Sequence, residues 1–572
     1  MAFDLIIAGG TVVDGSGLPS FKADVGIMNG KIAAIGNLKG QAAGERIDAE
    51  GHIVSPGFID GHTHMDAQIF WDPLGTCSCW HGVTSVVMGN CGFTLAPCAE
   101  KDKRLVFTNL ERAEDISPSA MEAGIPWTWE TFPEFMETIG KLPKGINYGT
   151  YVGHSAIRAY VMGERSMTDK ATPDDLAAMQ KQVEISMRAG AIGFTTSRAR
   201  GHRTAEGRPV ASRIADWSEV EALVEVLGRL ECGVFEIARD NSERSDEEKK
   251  AEREALKNLA IRTKVPMTFG ASWFHRRHPD EWQSQVAMVD ETNAAGGRML
   301  MQMTSQWSGS VRSFETLMLF DRAPLWRDFR KLPLGEQAAG LRDPEMRRKL
   351  VEAAQAHVVT TDPTLPNALR RPIDWDWIFP MYEVFPPHRS IEELARERRQ
   401  LPIETYIDLA LEKDLKLFFQ NPASNEDQDF VLALLRHPHS VPTFSDSGAH
   451  VNSVINASLQ TYLLSYWVRQ RQALRIEEAI RKITFDIASF WRLEGRGLLR
   501  EGYCADVVVF DPNILAPLLP ELVHDLPTGA ERLLQKAVGI KATVVNGEVF
   551  MRNGEHTGAL SGRLMKGPLA RH

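Results

Sequence analysis

Residues Gly57 to Asp66 read GFIDGHTHMD and lie at the end of an apolar stretch. If this stretch is a strand, His62 and His64 point to the same face, because strand residues two apart share a face. Two buried imidazoles each need partners, and a shared metal ion would serve both. An ordinary pair of polar residues in a loop explains the same letters, so the rest of the chain has to decide between these interpretations.

The bulk properties narrow the class of protein. The 572 residues carry a formal net charge of −10 without a basic stripe, which argues against nucleic-acid binding. No segment is apolar and long enough to span a bilayer, and the N-terminus lacks the pattern of a signal peptide. Six cysteines in a chain of this length do not make a disulfide framework. We therefore expect a cytoplasmic protein without nucleic-acid or membrane partners.

Short apolar strands alternate with helical patterns through the middle of the chain. The candidate strands are 57–64, 82–92, 147–155, 191–197, 233–239, 266–272, 298–305 and 441–450. Thr172 to Asp175 and the pair Ser218 and Glu221 supply helix-start signals. Eight such strands predict an α/β fold with a closed (β/α)8 barrel of the TIM type over residues 57–497.

The two ends of the chain differ from the middle in their sequence pattern. Residues 1–56 and 498–572 read as alternating strands with Asn-Gly turns, which predicts one small β-sandwich domain built from both termini. The span 306–440 is too long for one loop and is expected to be an insertion after the seventh strand. Such a segment either covers the active site or packs at the periphery, and both interpretations stay open.

Catalytic residues of this barrel type lie at the C-terminal ends of the strands. The polar residues there include His62, His64, Cys91, His154, Ser197, Arg198, Glu236, Arg239, Ser272, His275, Asp446 and His450. Two histidines, a thiolate and a carboxylate form a set of zinc ligands. Asp446 could also move a proton between water and a leaving group. Cys91 as simple packing and Asp446 as a turn former are the competing interpretations, and His154 is a metal ligand, a substrate donor or a core histidine.

Three segments together resemble the amidohydrolase superfamily, and its N-acyl-D-amino-acid deacylase branch in particular. They are SPGFIDGHTH, HGVTSVVMGNCGFTLAP and FSDSGAH, and the terminal segments DLIIAGGTVVDGSG and GLLREGYCADVVVFDP are similar to that branch as well. The resemblance implies a metal-dependent hydrolase of an amide bond in a small molecule. It also implies His62, His64 and Asp446 as metal ligands, Cys91 as a metal-bridging cysteine, and Asp446 as the catalytic acid/base.

The chain departs from that branch at two strands. The branch carries a metal-binding histidine after the fifth strand. This chain has the segment FEIAR there, without a histidine, and Glu236 in it could supply an oxygen ligand. The histidine and the carboxylate-binding lysine expected after the sixth strand are replaced within FGASW, which contains Ser272 and Trp273. We therefore expect one or two zinc ions or other divalent metals, with His154 as a further candidate ligand. Substrate contacts are expected from Arg198, Arg239, Ser272, Trp273 and His450.

The alternatives concern the chemistry rather than the fold. A cyclic amide, a lactone or an ester would be attacked in the same way as an N-acyl amino acid. The missing histidines also fit a barrel that has lost catalysis and serves as a binding or assembly scaffold. Association into homo-oligomers remains open, because no interface can be identified from the sequence.

Overall fold

The computed structural model describes residues 2–114, 116, 118–204, 206–240, 244–271, 279–357 and 372–570. Among them, no helix combines the length and the apolar character needed to cross a membrane. The sulfur atoms of all six cysteines are free thiols. Ser272, Trp273 and His275, which the sequence suggested as polar or substrate-contacting residues, lie outside the described residues.

The strands of the described chain are β1 (Phe3–Val12), β2 (Phe21–Met28), β3 (Lys31–Gly36), β4 (Ala43–Asp48), β5 (Ile53–Pro56), β6 (Phe58–Asp60), β7 (His62–Thr63), β8 (Val83–Met88), β9 (Asn147–Thr150), β10 (Val152–Gly153), β11 (Gly193–Ser197), β12 (Val234–Ala238), β13 (Met267–Gly270), β14 (Met299–Met303), β15 (Ser308–Arg312), β16 (Phe379–Pro380), β17 (Phe419–Ser424), β18 (Ser440–Pro442), β19 (Phe444–Ser447), β20 (Val507–Phe510), β21 (Ala516–Pro517), β22 (Glu521–Val523), β23 (Arg532–Leu534), β24 (Ala537–Val538), β25 (Ile540–Val545), β26 (Glu548–Arg552) and β27 (Glu555–His556).

The α-helices between and around them are Lys103–Glu114, Pro118–Gly124, Phe132–Lys141, His154–Met162, Pro173–Ala189, Trp217–Leu230, Asp246–Thr263, Glu281–Ala294, Pro324–Phe329, Leu334–Arg342, Pro344–Ala356, Ile391–Arg398, Pro402–Leu411, Gln428–Arg436, Leu459–Tyr462, Ile476–Lys482 and Phe485–Phe490. A π-helix covers Leu463–Gln470.

The candidate strands of the central region are all present and pair in parallel. Their ladders run β6-β8-β9, then β10-β11-β12-β13-β14-β18, then β19-β7. The first, third and eighth candidate strands are each split in two, at Gly61, Tyr151 and Thr443. At one split, the Gly61 N–H donates to the Thr443 hydroxyl instead of to a ladder carbonyl. The expectation of one continuous barrel sheet is therefore met in part, by three parallel ladders in chain order.

Strands from both ends of the chain share one nine-stranded sheet, ordered β27-β26-β25-β20-β5-β1-β2-β3 with β4 beside β1. Alternate residues of β20 explain how it packs. Val508 and Phe510 join the main apolar core, where the Phe510 ring lies 6.2 Å from that of Phe58. Val507 and Val509 point the other way, into a separate apolar cluster. The expectation of a β-sandwich is therefore met in part: both termini contribute strands to this one sheet, and the described residues add two small hairpin sheets.

Three Asn-Gly pairs form turns of this sheet, as the sequence predicted. Asn29-Gly30 joins β2 to β3, Asn546-Gly547 joins β25 to β26, and Asn553-Gly554 joins β26 to β27. Every one of these six residues has φ between 46° and 91°. This left-handed backbone matches the twist of a tight hairpin, and asparagine and glycine adopt it at little cost.

Segment 306–440 lies between β14 and β18 and contains an apolar cluster of its own. Trp326 is fully buried there, and the ring of Tyr406 stacks on that of Phe419 at 3.7 Å. A short antiparallel sheet, β16-β17-β15, forms one side. Trp307 belongs instead to the main core.

The helix-start signals had different outcomes. Thr172 caps the helix Pro173–Ala189 through a complete capping box with Asp175, and Gly190 ends that helix with φ 114°, as predicted. The prediction of Ser218 as a cap is wrong, because the next helix begins at Trp217 with Asp216 at the cap position. A single serine-glutamate spacing does not fix the first residue of a helix.

Candidate active site

His62 and His64 lie at the C-terminal end of the split first strand, and both side chains are buried. The Nε2 atoms of His62 and His64 lie 3.3 and 3.5 Å from one oxygen, Oδ1 of Asp446. On its far side, His62 Nδ1–H donates to Oε1 of Gln302 at 2.6 Å. This bond orients the imidazole, so Nε2 is the ring atom that faces the centre and that would bind a metal ion.

Cys91 reaches the same point from the end of β8. The chain turns there through three residues with positive φ, namely Gly89 (82°), Cys91 (57°) and Gly92 (79°). A side chain at Gly92 would come within 3.1 Å of the Thr196 backbone. The Cys91 sulfur lies 3.6 Å from His62 Nε2, and the candidate ligand atoms of His62, His64 and Cys91 all lie within 4.8 Å of one another.

Asp446 completes the cluster from β19. Its backbone is left-handed at φ 53°, and its side chain is 21 % exposed. Burial alone would raise the pKa of Asp446, but the hydrogen bonds from His62 and His64 outweigh it and hold that pKa well below the usual range. The same contacts raise the pKa of His62 against its burial, whereas burial wins at His64 and lowers its pKa. Asp446 is therefore ionised at neutral pH.

Glu236, on β12, adds a buried carboxyl group to the centre. Its Oε2 accepts the Cys91 N–H at 2.8 Å, and its Oε1 is buried without a hydrogen-bond partner. Burial raises the pKa of Glu236 to about 7, partly offset by the positive charge of His62. An orphaned buried carboxylate oxygen beside two imidazoles and a thiol is what a bound cation would satisfy. The residues present therefore fit a divalent metal ion.

Two further buried carboxyl groups were missed in the sequence. Asp60 Oδ1 accepts the His62 N–H at 3.1 Å, and Asp66 Oδ2 accepts the Gly89 N–H at 2.9 Å. Burial raises the pKa of each to about 7, and each has a second oxygen without a partner. Asp60 lies two residues before His62, as strand alternation requires for a shared face, whereas Asp66 lies in the turn after β7, where that rule does not apply.

His154 does not join the cluster. Its Nδ1 bonds to the Thr196 hydroxyl and its Nε2 to Glu219, both at 2.8 Å. Glu219 in turn accepts from Arg158 at 2.6 Å, and all three side chains are buried. Both ring nitrogens thus have protein partners, and the geometry argues against His154 as a metal ligand. It is a core histidine in a buried charge network.

The candidate substrate arginines face partners beside the centre rather than the metal ligands. Arg198 donates to the backbone carbonyl of Ala215 at 2.7 Å. Arg239 pairs with Glu252 at 3.3 Å, which matches the alternative of pairing with a protein carboxylate. His450 lies close to the centre, since its charge contributes to lowering the pKa of His64.

His202 was not identified in the sequence, and it lies next to the metal-ligand cluster. Its Nδ1 bonds to the Ser197 hydroxyl at 2.6 Å, and its ring centroid lies 5.1 Å from that of Phe93. Burial and the charges of His64 and His450 lower the pKa of His202 to about 3, so its imidazole is neutral. It stands in the loop after β11, where no motif singled it out.

A model of the amidohydrolase family matches residues 45–551 of this chain. Among characterised proteins, a D-aminoacylase of Alcaligenes xylosoxydans xylosoxydans is 28 % identical, over 98 % of this chain and 97 % of that protein. An N-acyl-D-aspartate deacylase of the same organism is 26 % identical, over 97 % and 93 % of the two chains.

Solved structures share the fold over nearly the whole length. A D-aminoacylase structure has a TM-score of 0.66 at 24 % identity, covering 99 % of this chain and 100 % of its own. The N-acyl-D-glutamate deacylase from Bordetella bronchiseptica, complexed with zinc and a phosphonate inhibitor, has a TM-score of 0.67 at 21 % identity over the same shares. These likenesses place the fold among the TIM-barrel type of amidohydrolases.

Proposed function

Because this chain belongs to the amidohydrolase family, and is therefore a hydrolase acting on C–N bonds, we propose that it hydrolyses the amide bond of an N-acyl amino acid with the help of a divalent metal ion. The observation that carries this proposal is the cluster of His62, His64 and Cys91, whose candidate ligand atoms lie within 4.8 Å of one another, with Asp446 Oδ1 in contact with both imidazoles. The three parallel ladders then form one eight-stranded barrel with this point at its C-terminal mouth. The partner is a small-molecule amide.

His62, His64, Cys91 and Asp446 hold the metal ion, and Glu236 lies ready to add an oxygen ligand. Imidazole and thiolate ligands favour zinc. When bound, the ion supplies Lewis-acid chemistry for the substrate carbonyl and for the attacking water. Gln302 orients His62 from the side away from the centre.

Asp446 is the catalytic acid/base. It is ionised at neutral pH and partly exposed, so it accepts a proton from the water that attacks the amide carbonyl. It then delivers that proton to the nitrogen of the departing amine.

Glu236 bears on how many metal ions are held. The D-aminoacylase neighbour has a binuclear metal centre with one-metal activation and second-metal attenuation. In this chain the segment FEIAR, which contains Glu236 and Ile237, replaces the histidine that the branch carries after the fifth strand, and Ala271 is buried after β13. We infer one ion of high affinity, with Glu236 and Cys91 as the groups that would share a second.

The test combines metal content with turnover. Protein purified without added metal or chelator is analysed for bound metal and assayed on the D and L enantiomers of N-acyl amino acids. We expect about one zinc ion per chain, its loss in His62→Ala, and release of free amino acid only by the metal-loaded protein. His437→Ala is the matched control, because His437 pairs with Asp290 near the surface and lies outside the cluster.

Two results would contradict the proposal. One is hydrolysis that persists after the metal has been removed and shown to be absent. The other is a metal-loaded protein that cleaves none of the N-acyl amino acids, which would favour a lactone, an ester or a cyclic amide as substrate, or the scaffold alternative.

A further inference from the structure

A cavity of about 440 Å³ lies beside the C-terminal ends of β11 and β12. This volume is within the range of pockets that bind small molecules. Arg198 follows β11 directly, and Asp240 lies two residues beyond β12, so the cavity is at the same end of the strands as the metal ligands. The charged residues that line it are Arg198, Arg200, Arg213, Arg244, Asp240 and Glu252.

Positive charge exceeds negative charge at this cavity. Asp240 pairs with Arg200 at 3.1 Å, and Glu252 pairs with Arg244 at 2.6 Å and with Arg239 at 3.3 Å. Two carboxylates are therefore the ion-pair partners of three arginines, Arg200, Arg239 and Arg244. These charges are those of the described residues, which do not include 241–243.

Arg198 and Arg213 add two more guanidinium groups, and their hydrogen bonds go to backbone carbonyls, while carboxylates act on Arg198 through their charges alone, that of Glu252 most strongly. Arg198 donates to Ala215 O at 2.7 Å, and Arg213 donates to His202 O at 3.1 Å. A carbonyl satisfies a guanidinium N–H but does not neutralise its charge. An anion in the cavity would gain a charge-assisted, bidentate contact that a neutral group would not.

The neighbours of Arg213 show the same imbalance. After burial, the largest influences that lower its pKa are the charges of Arg203, Arg198 and Arg200, and Asp240 opposes them. Like charges held close together in a partly buried site are costly without a counter-ion. The fold therefore keeps an arginine cluster that an anionic ligand would stabilise.

His202 joins this cavity to the metal-ligand cluster. Its backbone carbonyl accepts from Arg213, while its ring packs on Phe93, whose own ring lies 6.5 Å from that of His64. Two residues, His202 and Phe93, thus link Arg213 to His64 in one chain of contacts.

We propose that this cavity, defined by Arg198, Arg200, Arg213 and Arg244, binds a side-chain carboxylate of the substrate, so that the protein acts on N-acyl derivatives of acidic amino acids. The inference rests on the proposed function for the reaction itself. The charge excess at the cavity is then what selects the side chain of the substrate.

Direct binding tests the cavity independently of turnover. Glutarate, a dianion, is titrated calorimetrically into the full-length protein, with butyrate as the monoanionic probe. We expect glutarate to bind at low ionic strength, and Arg213→Gln and Arg198→Gln each to weaken it by about tenfold or more. Arg188→Gln is the control, because Arg188 pairs with Glu184 on an exposed helix face. Glutarate binding that is absent, or equal in all variants, would overturn the proposal.

Trp217 lines the cavity and gives a second, local measurement. Glutarate should change the tryptophan emission of the parent protein, and Trp217→Phe should remove that change. A glutarate-induced change that persists in Trp217→Phe would place the ligand elsewhere and contradict the assignment. This optical test also covers the case in which an arginine variant fails to fold.

Kinetics then separate this inference from the proposed function. N-acetyl-glutamate should be hydrolysed with a kcat/KM at least about tenfold above that of N-acetyl-leucine, and Arg213→Gln should erase the difference by raising KM for the acidic substrate alone. An equal loss on both substrates would refute the cavity's role while leaving amide hydrolysis intact. Glutarate or inorganic phosphate that binds without competing with N-acetyl-glutamate would reveal a separate anion site and overturn the substrate assignment. Glutarate binding without hydrolysis of any N-acyl amino acid would instead refute the proposed function.

Discussion

Replacing Gln302 by methionine should weaken metal binding without disturbing the fold. Gln302 is fully buried on β14 and touches the centre only through His62, whose Nδ1–H it accepts at 2.6 Å. Methionine has a similar volume and no strong acceptor, so the His62 ring loses its orientation and its preferred tautomer. Loss of such an outer partner typically lowers metal affinity by about 10- to 100-fold, which corresponds to about 1.4 to 2.7 kcal/mol.

The assay is a competition titration of zinc between the protein and a chromophoric chelator, with circular dichroism to check folding. Gln302→Glu is the matched variant, because it keeps an oxygen acceptor at the same position and should retain most of the affinity. The metal-free Gln302→Met protein should lose only about 1 kcal/mol of stability, the net value of one buried hydrogen bond. Zinc binding within twofold of the parent in Gln302→Met would refute the role assigned to Gln302.

Three further predictions concern other parts of the site. Asp446→Asn should lower kcat by at least about 100-fold with an unchanged circular dichroism spectrum, because the acid/base is lost; near-parental turnover would contradict its role. Burial raises the pKa of Glu236 from 4.5 to about 7, so the folded, metal-free protein holds a proton that the unfolded chain releases, and this contribution to stability is lost as pH rises from 4.5 to 7. Glu236→Gln should therefore gain up to about 3 kcal/mol relative to the parent between pH 5 and pH 8, measured by unfolding in chelator, and a constant difference would argue against the shift. Arg158→Met should cost about 3 to 5 kcal/mol in urea unfolding, since it leaves Glu219 buried without its ion pair, yet leave the metal content unchanged; a loss of metal would tie this network to the site.

Local patterns predicted the elements well where one physical requirement dominates. The Asn-Gly pairs became hairpin turns because only a left-handed backbone closes those loops. The H-x-H spacing placed His62 and His64 on one face because a strand alternates strictly. The Ser218 cap failed because several polar residues compete at a helix start, and Asp216 occupies the cap position instead.

The parts of the site that depend on contacts between distant segments could not be predicted from the local sequence. Nothing in the local sequence of His154 shows that Glu219 and Thr196 occupy its two nitrogens. Arg239 likewise meets Glu252 only once the helix Asp246–Thr263 packs beside β12. His202 reaches the centre through a loop whose path depends on tertiary contacts. Asp60 is different, because its spacing of two residues from His62 already predicted a shared face of the strand.

The central claim is that His62, His64, Cys91 and Asp446 together bind a metal ion, and X-ray absorption spectroscopy of the zinc-loaded protein tests it most directly. The account predicts one sulfur ligand at about 2.3 Å together with nitrogen and oxygen ligands at about 2.0 to 2.2 Å. In Cys91→Ser the sulfur scatterer should vanish while the lighter ligands remain. A zinc ion with only nitrogen and oxygen neighbours in the parent protein, or a zinc–sulfur distance that survives in Cys91→Ser, would contradict it.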